Sequence, residues 1–284
     1  MKPPPFEYHS PRTIDEALTL MGQLDGALPL AGGQSLIPLL NLRLAYPRHL
    51  VDLGRIPELE HHEVSGDEVC VGAMTTHQSM QRSLVGDLPL VSEAVTHVGF
   101  PAIRARGTLG GSLAHADPAG ELPLVSLVLE AEIVLQSTHG QRSIAAPDFF
   151  LGPYTTARQP DELITQVRFA GSPGMWGFSE FARRTGDYAL VACAVALDIE
   201  DGQITNARVG LAGVADRPLR VESSETSLEG RSPEPRVLTE AAATAASSIE
   251  PLSDIHGSSD YRRRLIEVMV SRALSQATGR LAHV

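Results

Sequence analysis

Two glycine pairs, Gly32-Gly33 and Gly110-Gly111, each stand between an apolar approach and a second apolar run. The first lies in Ala31-Gly32-Gly33-Gln34-Ser35, ahead of Leu36-Ile37-Pro38-Leu39-Leu40; the second lies in Thr108-Leu109-Gly110-Gly111-Ser112. A tight turn needs one glycine. A second beside it signals that something approaches the backbone closely. Successive N–H groups at such turns converge into an anion site. Two of them facing each other would grip a diphosphate, with Gln34, Ser35, Thr108 and Ser112 adding hydrogen bonds. A diphosphate joined to two ring systems is a dinucleotide such as FAD or NAD. Neither loop is a GxGxxG fingerprint or a P-loop. Each alone reads first as a plain tight turn, and the pair sets ligand binding against that reading.

The pattern around the loops divides the chain in three. Residues 1–54 read as a small α/β unit. Thr13 and Glu16 make a capping box that opens a helix, and Ile14, Ala17, Leu18 and Met21 share its apolar face. Residues 27–31 and 49–53 read as strands, and 35–44 as a helix with Pro38 in its first turn, where a missing donor costs little. Residues 55–172 open with hairpin alternation around Ser65-Gly66-Asp67. Helix patterns follow at 75–84, 89–98 and 121–129, the second glycine loop at 107–112, and strand patterns at 131–136 and 162–169. Residues 173–284 begin with three strands, 178–183, 189–199 and 204–214, the last two joined by the hairpin signal Asp201-Gly202. The polar stretch 223–235 reads as a loop. Helix patterns close the chain at 237–249 and 261–274, with Leu265, Val268, Met269 and Ala273 on one face. Strands followed by helices indicate an α+β fold.

Composition narrows the function. Of 284 residues 43% are hydrophobic and 20% charged, and the net charge is −11, which disfavours nucleic acid or an anionic membrane surface as the main partner. The two cysteines, Cys70 and Cys193, lie in apolar runs outside any CxxC spacing. They read as buried and reduced, and the chain carries no iron–sulfur or structural zinc motif. No window approaches a membrane span or a signal-peptide core, so the expected location is cytoplasmic.

The segments "AGGQSLIPLLNLRLAYPRHLVDL", "IRARGTLGGSLAHADPAGELPLVSLVLEA" and "EFARRTGDYALVACAVAL" resemble the FAD-binding medium subunit of the molybdenum hydroxylases, the xanthine dehydrogenase and carbon monoxide dehydrogenase superfamily. The resemblance spans essentially the whole chain. It implies a two-part FAD-binding domain of the PCMH type, then a C-terminal domain with a three-stranded antiparallel sheet and a helical bundle. It implies that Ala31, Gly32, Gly33, Gln34 and Ser35 wrap the FAD diphosphate and ribityl chain together with Thr108, Gly110, Gly111 and Ser112. Glu121 matches an acidic position that hydrogen-bonds the cofactor, Ile164 an apolar flavin contact, and Tyr188 a position beside the isoalloxazine ring. Leu190 stands where some members carry a lysine near the flavin, which disfavours an NAD-reducing site. The implied activity is electron transfer. A large molybdenum-cofactor subunit hydroxylates substrate, two [2Fe–2S] clusters in a small subunit carry the electrons, and the FAD here passes them to an external acceptor. The implied assembly is a dimer of heterotrimers.

No catalytic proton donor and no metal ligand are assigned to this chain. His115 and Asp117 read as a turn rather than a dyad, and His61-His62-Glu63 as a solvated stretch rather than a metal site. His77 is a candidate for approach to the flavin. Arg104 and Arg106 face phosphate, a partner or solvent, and Arg262-Arg263-Arg264 serve solvent or subunit contacts. Two other functions stay open at this point: a self-sufficient flavin oxidoreductase, and a bridging subunit without cofactor.

Overall fold

In the computed structural model, residues 2–171 and 173–279 are described. The chain begins with β1 (Glu7–His9), α1 (Ile14–Gln23), β2 (Ala27–Leu30), α2 (Leu36–Asn41) and β3 (His49–Asp52). The three strands form a parallel sheet in the order β1-β3-β2. Thr13 caps α1 by accepting from Glu16 N–H at 3.2 Å. The reciprocal bond of the capping box shifts by one residue, with Arg12 N–H donating to Glu16 at 2.8 Å. Ala17, Leu18 and Met21 then pack on Val51.

A second set of elements comprises β4 (His62–Ser65), β5 (Glu68–Gly72), α3 (His77–Ser83), α4 (Pro89–His97), α5 (Pro101–Arg104), α6 (Leu109–His115) and α7 (Glu121–Val128). It continues with β6 (Glu132–Ser137), β7 (Gly140–Ala145), α8 (Ala146–Phe149), β8 (Phe150–Gly152), β9 (Thr155–Thr156) and β10 (Leu163–Phe169). Strands β4-β5-β10-β6-β7 form an antiparallel sheet. Two expectations fail here. The second glycine pair lies inside α6 rather than in an open loop, because Thr108 caps that helix through Gly111 N–H at 3.2 Å. Cys70 is only half-buried, because alternation in β5 turns Val69 and Val71 inward and Cys70 to the other face.

The last set is β11 (Met175–Phe181), β12 (Val191–Glu200), β13 (Gln203–Ala212), β14 (Leu219–Arg220), α9 (Glu222–Leu228), α10 (Pro235–Ser248) and α11 (Ser259–Gly279). Three long antiparallel strands carry the sheet, and two-residue β14 adds a fourth at its edge. Asp201 and Gly202 make the β12–β13 turn with φ of 49° and 75°, the doubly left-handed hairpin turn. Segment 223–235 is not all loop. Its start folds as α9 because its inward residues are polar but satisfied: Ser224 Oγ donates to Ala241 O at 3.0 Å, and the Glu225 carboxylate accepts from Val209 N–H at 2.8 Å. Val268 is 43% exposed, so the buried stripe of α11 is Leu265, Met269 and Ala273 without it. Arg262 is no surface residue either; it is buried and donates to Leu190 O, Gly213 O and Asp254.

This sheet is apolar on both faces. Along β12, Ala192, Ala194 and Ala196 join the core around α4 and α7, while Val191, Cys193, Val195 and Leu197 join the core around α10 and α11. Two glycines let helices lie close. A Cβ at Gly177 would sit 1.9 Å from the Ala273 carbonyl of α11, and one at Gly210 would sit 2.4 Å from Val128 of α7. Helix α7 is buried on all sides except at its first residue, which makes it the shared centre. Among the described residues no helix is long and apolar enough to cross a membrane.

Gly177→Ala should therefore lower unfolding stability by about 1–3 kcal/mol in urea titrations, whereas Gly174→Ala, whose Cβ would meet Leu197 O at an ordinary 3.8 Å, should leave it nearly unchanged.

Candidate functional site

All twelve residues singled out for cofactor contact border one groove of about 380 Å³. Ala31, Gly32, Gly33, Gln34 and Ser35 come from the β2–α2 connection; Thr108, Gly110, Gly111 and Ser112 from α6 and its cap. Glu121 opens α7, Ile164 lies on β10, and Tyr188 sits on the connection leading into β12.

The two glycine segments do different work. A Cβ at Gly32 would lie 2.0 Å from the Arg106 carbonyl oxygen and 2.9 Å from Gly107 Cα. What approaches the backbone at Gly32 is therefore the second segment itself. Gly33 takes φ of 72° to turn the chain. At the second segment the donors are consumed internally: Leu109 N–H bonds Thr75 O at 3.1 Å, Gly110 N–H bonds Ala73 O at 2.8 Å, and Gly111 N–H bonds Thr108 Oγ1. A Cβ at Gly110 would stand 2.6 Å from Ala73 Cβ, so that glycine serves packing. At the first segment the N–H groups of Gly32, Gly33, Gln34 and Ser35 have no acceptor among the described residues. The expectation of two equivalent donor loops is thus corrected. The run of free donors belongs to the first segment, and the second is its seat.

His77 braces that seat. Its Nε2 lies 3.0 Å from Ser112 Oγ and 3.2 Å from Thr108 O, and its Nδ1 is buried without a partner among the described residues. A carbonyl cannot donate, so Nε2 carries the proton. Burial lowers its pKa to about 4 and keeps the ring neutral. The ring packs under Gly107, where a Cβ would meet it at 2.8 Å.

Glu121 is the electrostatic centre of the floor. Burial, then the nearby Glu180 carboxylate, push its pKa up to about 8, so at neutral pH it donates as well as accepts. Burial pulls His97 down, but Glu180 at 3.4 Å and Glu93 at 3.5 Å outweigh it and hold its pKa up at about 9. Glu180 Oε2 is buried with no hydrogen-bond partner among the described residues. At the rim, Tyr188 is 64% exposed. Partial burial and then the Asp117 carboxylate push its pKa up to about 12. Ile164 offers an almost fully buried apolar surface.

His115 and Asp117 stand 3.9 Å apart, too far for a hydrogen bond. Asp117 instead accepts from Ala119 N–H at 2.9 Å, which makes the turn. His61 meets Glu58 O and His62 meets Asp87, so the pair does not converge. Arg104 donates to Val98 O and Gly99 O, and Leu190 is buried in the core around α11 rather than facing the groove. The groove also contains Arg158, which the sequence reading misses. Its guanidinium donates to Gln159 O and Glu162 O, and "TTARQPDE" carries no motif that would reveal it.

Residues 4–169 match the family described as the FAD binding domain in molybdopterin dehydrogenase, and residues 176–277 match the CO dehydrogenase flavoprotein C-terminal domain. The chain is 42% identical over 282 residues to the nicotine 6-hydroxylase medium subunit of Paenarthrobacter nicotinovorans, covering 99% of this chain and 100% of that protein. It is 38% identical to the carbon monoxide dehydrogenase medium chain of Hydrogenophaga pseudoflava, covering 99% and 100%. A chain in the crystal structure of quinoline 2-oxidoreductase from Pseudomonas putida 86 superposes with a TM-score of 0.94 at 38% identity, covering 98% of this chain and 99% of that one.

Two outcomes follow from the geometry. Gly32→Val drives a branched side chain into the Arg106–Gly107 backbone; it should lower stability by about 1–3 kcal/mol and leave the purified protein without bound flavin by absorbance. The second concerns pH. Glu121 and His97 have raised pKa values, so their contributions to stability are lost as pH rises through about 8 and about 9. His77 has a lowered pKa, so its contribution is lost as pH falls from 6.5 through about 4. His77 opposes Glu121 below pH 6.5 and nothing in this set opposes it above. Urea midpoints of the flavin-stripped chain should fall more steeply between pH 6.5 and 8 than between 4.5 and 6.5, and Glu121→Gln should flatten the alkaline limb.

Proposed function

The chain belongs to the family of FAD-binding subunits of molybdopterin dehydrogenases, and from that premise we propose how its groove holds the flavin. It is a medium subunit of the molybdenum hydroxylase type, the FAD-binding oxidoreductase component of a multi-subunit complex whose molybdopterin cofactor and [2Fe–2S] clusters reside in other subunits. Bound FAD supplies the redox chemistry, accepting electrons from the clusters and releasing them to an external acceptor. The chain's own residues bind, orient and shield.

The observation that carries the reading is the run of four backbone N–H groups, Gly32 to Ser35, at the groove edge and without acceptors among the described residues. It is a donor array for the diphosphate. The Thr108 and Ser112 hydroxyls flank it, Glu121 meets ribityl or ribose hydroxyls from the floor, Ile164 supplies apolar surface, and the Tyr188 ring covers the isoalloxazine face. Residues 1–54 and 55–172 form the two parts of the FAD-binding domain in this reading, and 173–284 the C-terminal domain. The complex pairs this chain with one large molybdenum subunit and one small iron–sulfur subunit, two such heterotrimers associate, and the assembly works in the cytoplasm.

Purification through a tag on this chain, co-expressed with its neighbouring genes, should yield about equimolar FAD, iron–sulfur absorbance and two partner chains, one containing molybdenum. FAD with no partner and an activity of its own would overturn the assignment. Tyr188→Ala should weaken FAD binding about two- to tenfold, the worth of one ring contact, measured by fluorescence titration of the flavin-stripped protein.

A further inference from the structure

We propose that Glu7, His9 and His49 form a binding site for one divalent transition-metal ion of the zinc class, at the β1–β3 edge. The three side chains share a sheet face. Glu7 and His9 are two residues apart on β1, and Glu7 is the register partner of His49 on β3. His9 Nε2 lies 3.2 Å from His49 Nδ1, and His49 Nδ1 lies 3.4 Å from Glu7 Oε2. All three donor atoms fall within 4.8 Å of one another. Zinc bonds of about 2.0–2.1 Å at tetrahedral angles place ligand atoms about 3.3 Å apart, so two of the three separations already match a zinc site.

One proton cannot link all three groups at once. A neutral imidazole carries a single ring proton. When His9 Nε2 donates to His49 Nδ1, the acceptor lone pair leaves Glu7 facing an electron-rich atom at 3.4 Å. When His49 Nδ1 holds the proton, one N–H faces two acceptors. A cation at the centre satisfies all three at once. Two imidazoles and one carboxylate are zinc ligands, whereas magnesium and calcium take oxygen. Three protein ligands leave a fourth position for water or a partner's side chain. None of the three borders the flavin groove, so the site is separate from the cofactor. Its effect is to fasten β1, a three-residue strand whose one neighbour is β3, to a strand forty residues away in sequence.

The test uses the purified chain with its co-purifying partners, dialysed against a mild chelator, then titrated with Zn2+ against a chromophoric competitor and with Co2+ as an optical probe. One more equivalent should bind per chain than in the His9→Ala/His49→Ala variant, with the strong visible absorption of tetrahedral Co2+. Zn2+ should raise the thermal midpoint of the parent and not of the variant, while both keep the same FAD content. Glu7→Gln, an exposed change that spares the fold, should weaken Zn2+ binding by about tenfold or more. Equal binding by parent and double variant, an equivalent lost instead from a His61→Ala/His62→Ala variant, or unchanged affinity in Glu7→Gln would each overturn the site.

Discussion

The contact on which the groove depends is one between backbones: Gly32 seated on the Arg106 carbonyl and Gly107. No side chain fits between them. That seating holds the β2–α2 connection against the segment leading into α6, and the N–H groups of Gly32 to Ser35 keep no acceptor among the described residues. The second glycine segment spends its own donors on Ala73, Thr75 and Thr108, and so becomes rigid enough to serve as the seat. His77 extends the brace from below, neutral because it is buried. Rigidity in one segment and free donors in the other are two halves of a single device.

Much of this was legible in the sequence. The capping residue Thr13, the turn Asp201-Gly202 and the alternation around Ser65-Gly66-Asp67 each specify local geometry through neighbours a few residues away, and each element formed where expected. The twelve groove residues were legible through motif resemblance, since their elements converge only in three dimensions. The misses share a physical reason. Strand β1 takes its pairing from β3, and β7 is exposed along most of its length, so neither carries a strong apolar signal. Helix α9 buries polar groups whose partners, Ala241 and Val209, are remote. Arg262 reads as solvent-facing until the carbonyls of Leu190 and Gly213 are seen to receive it. Long-range satisfaction of polar groups is what a single sequence hides.

Electrostatics ties the groove floor to the seam between the second and third sets of elements. Glu121 on α7, Glu180 on β11 and His97 on α4 come from three elements; the Glu180 carboxylate raises the pKa of both Glu121 and His97, and His97 partly offsets that rise at Glu121. Carboxyl groups at such a junction are costly when ionised and unpaired. The protonated Glu121 and the charged His97 make it tolerable, and together they give the floor a donor where a bare carboxylate would offer acceptors alone.

Helix α7 carries a consequence for how the molecule comes apart. It lies beneath Gly210 of the third sheet and also in the core with Val69, Val71 and Ile133 of the second. Stripping away the C-terminal elements would uncover Leu124 and Val128, the side chains nearest Gly210, and a helix buried at every residue after Glu121 has no polar face it can turn to water. The second and third sets of elements therefore share one cooperative unit of unfolding, despite having two separate sheets, and a fragment ending between them inherits an unmet interface rather than a finished surface.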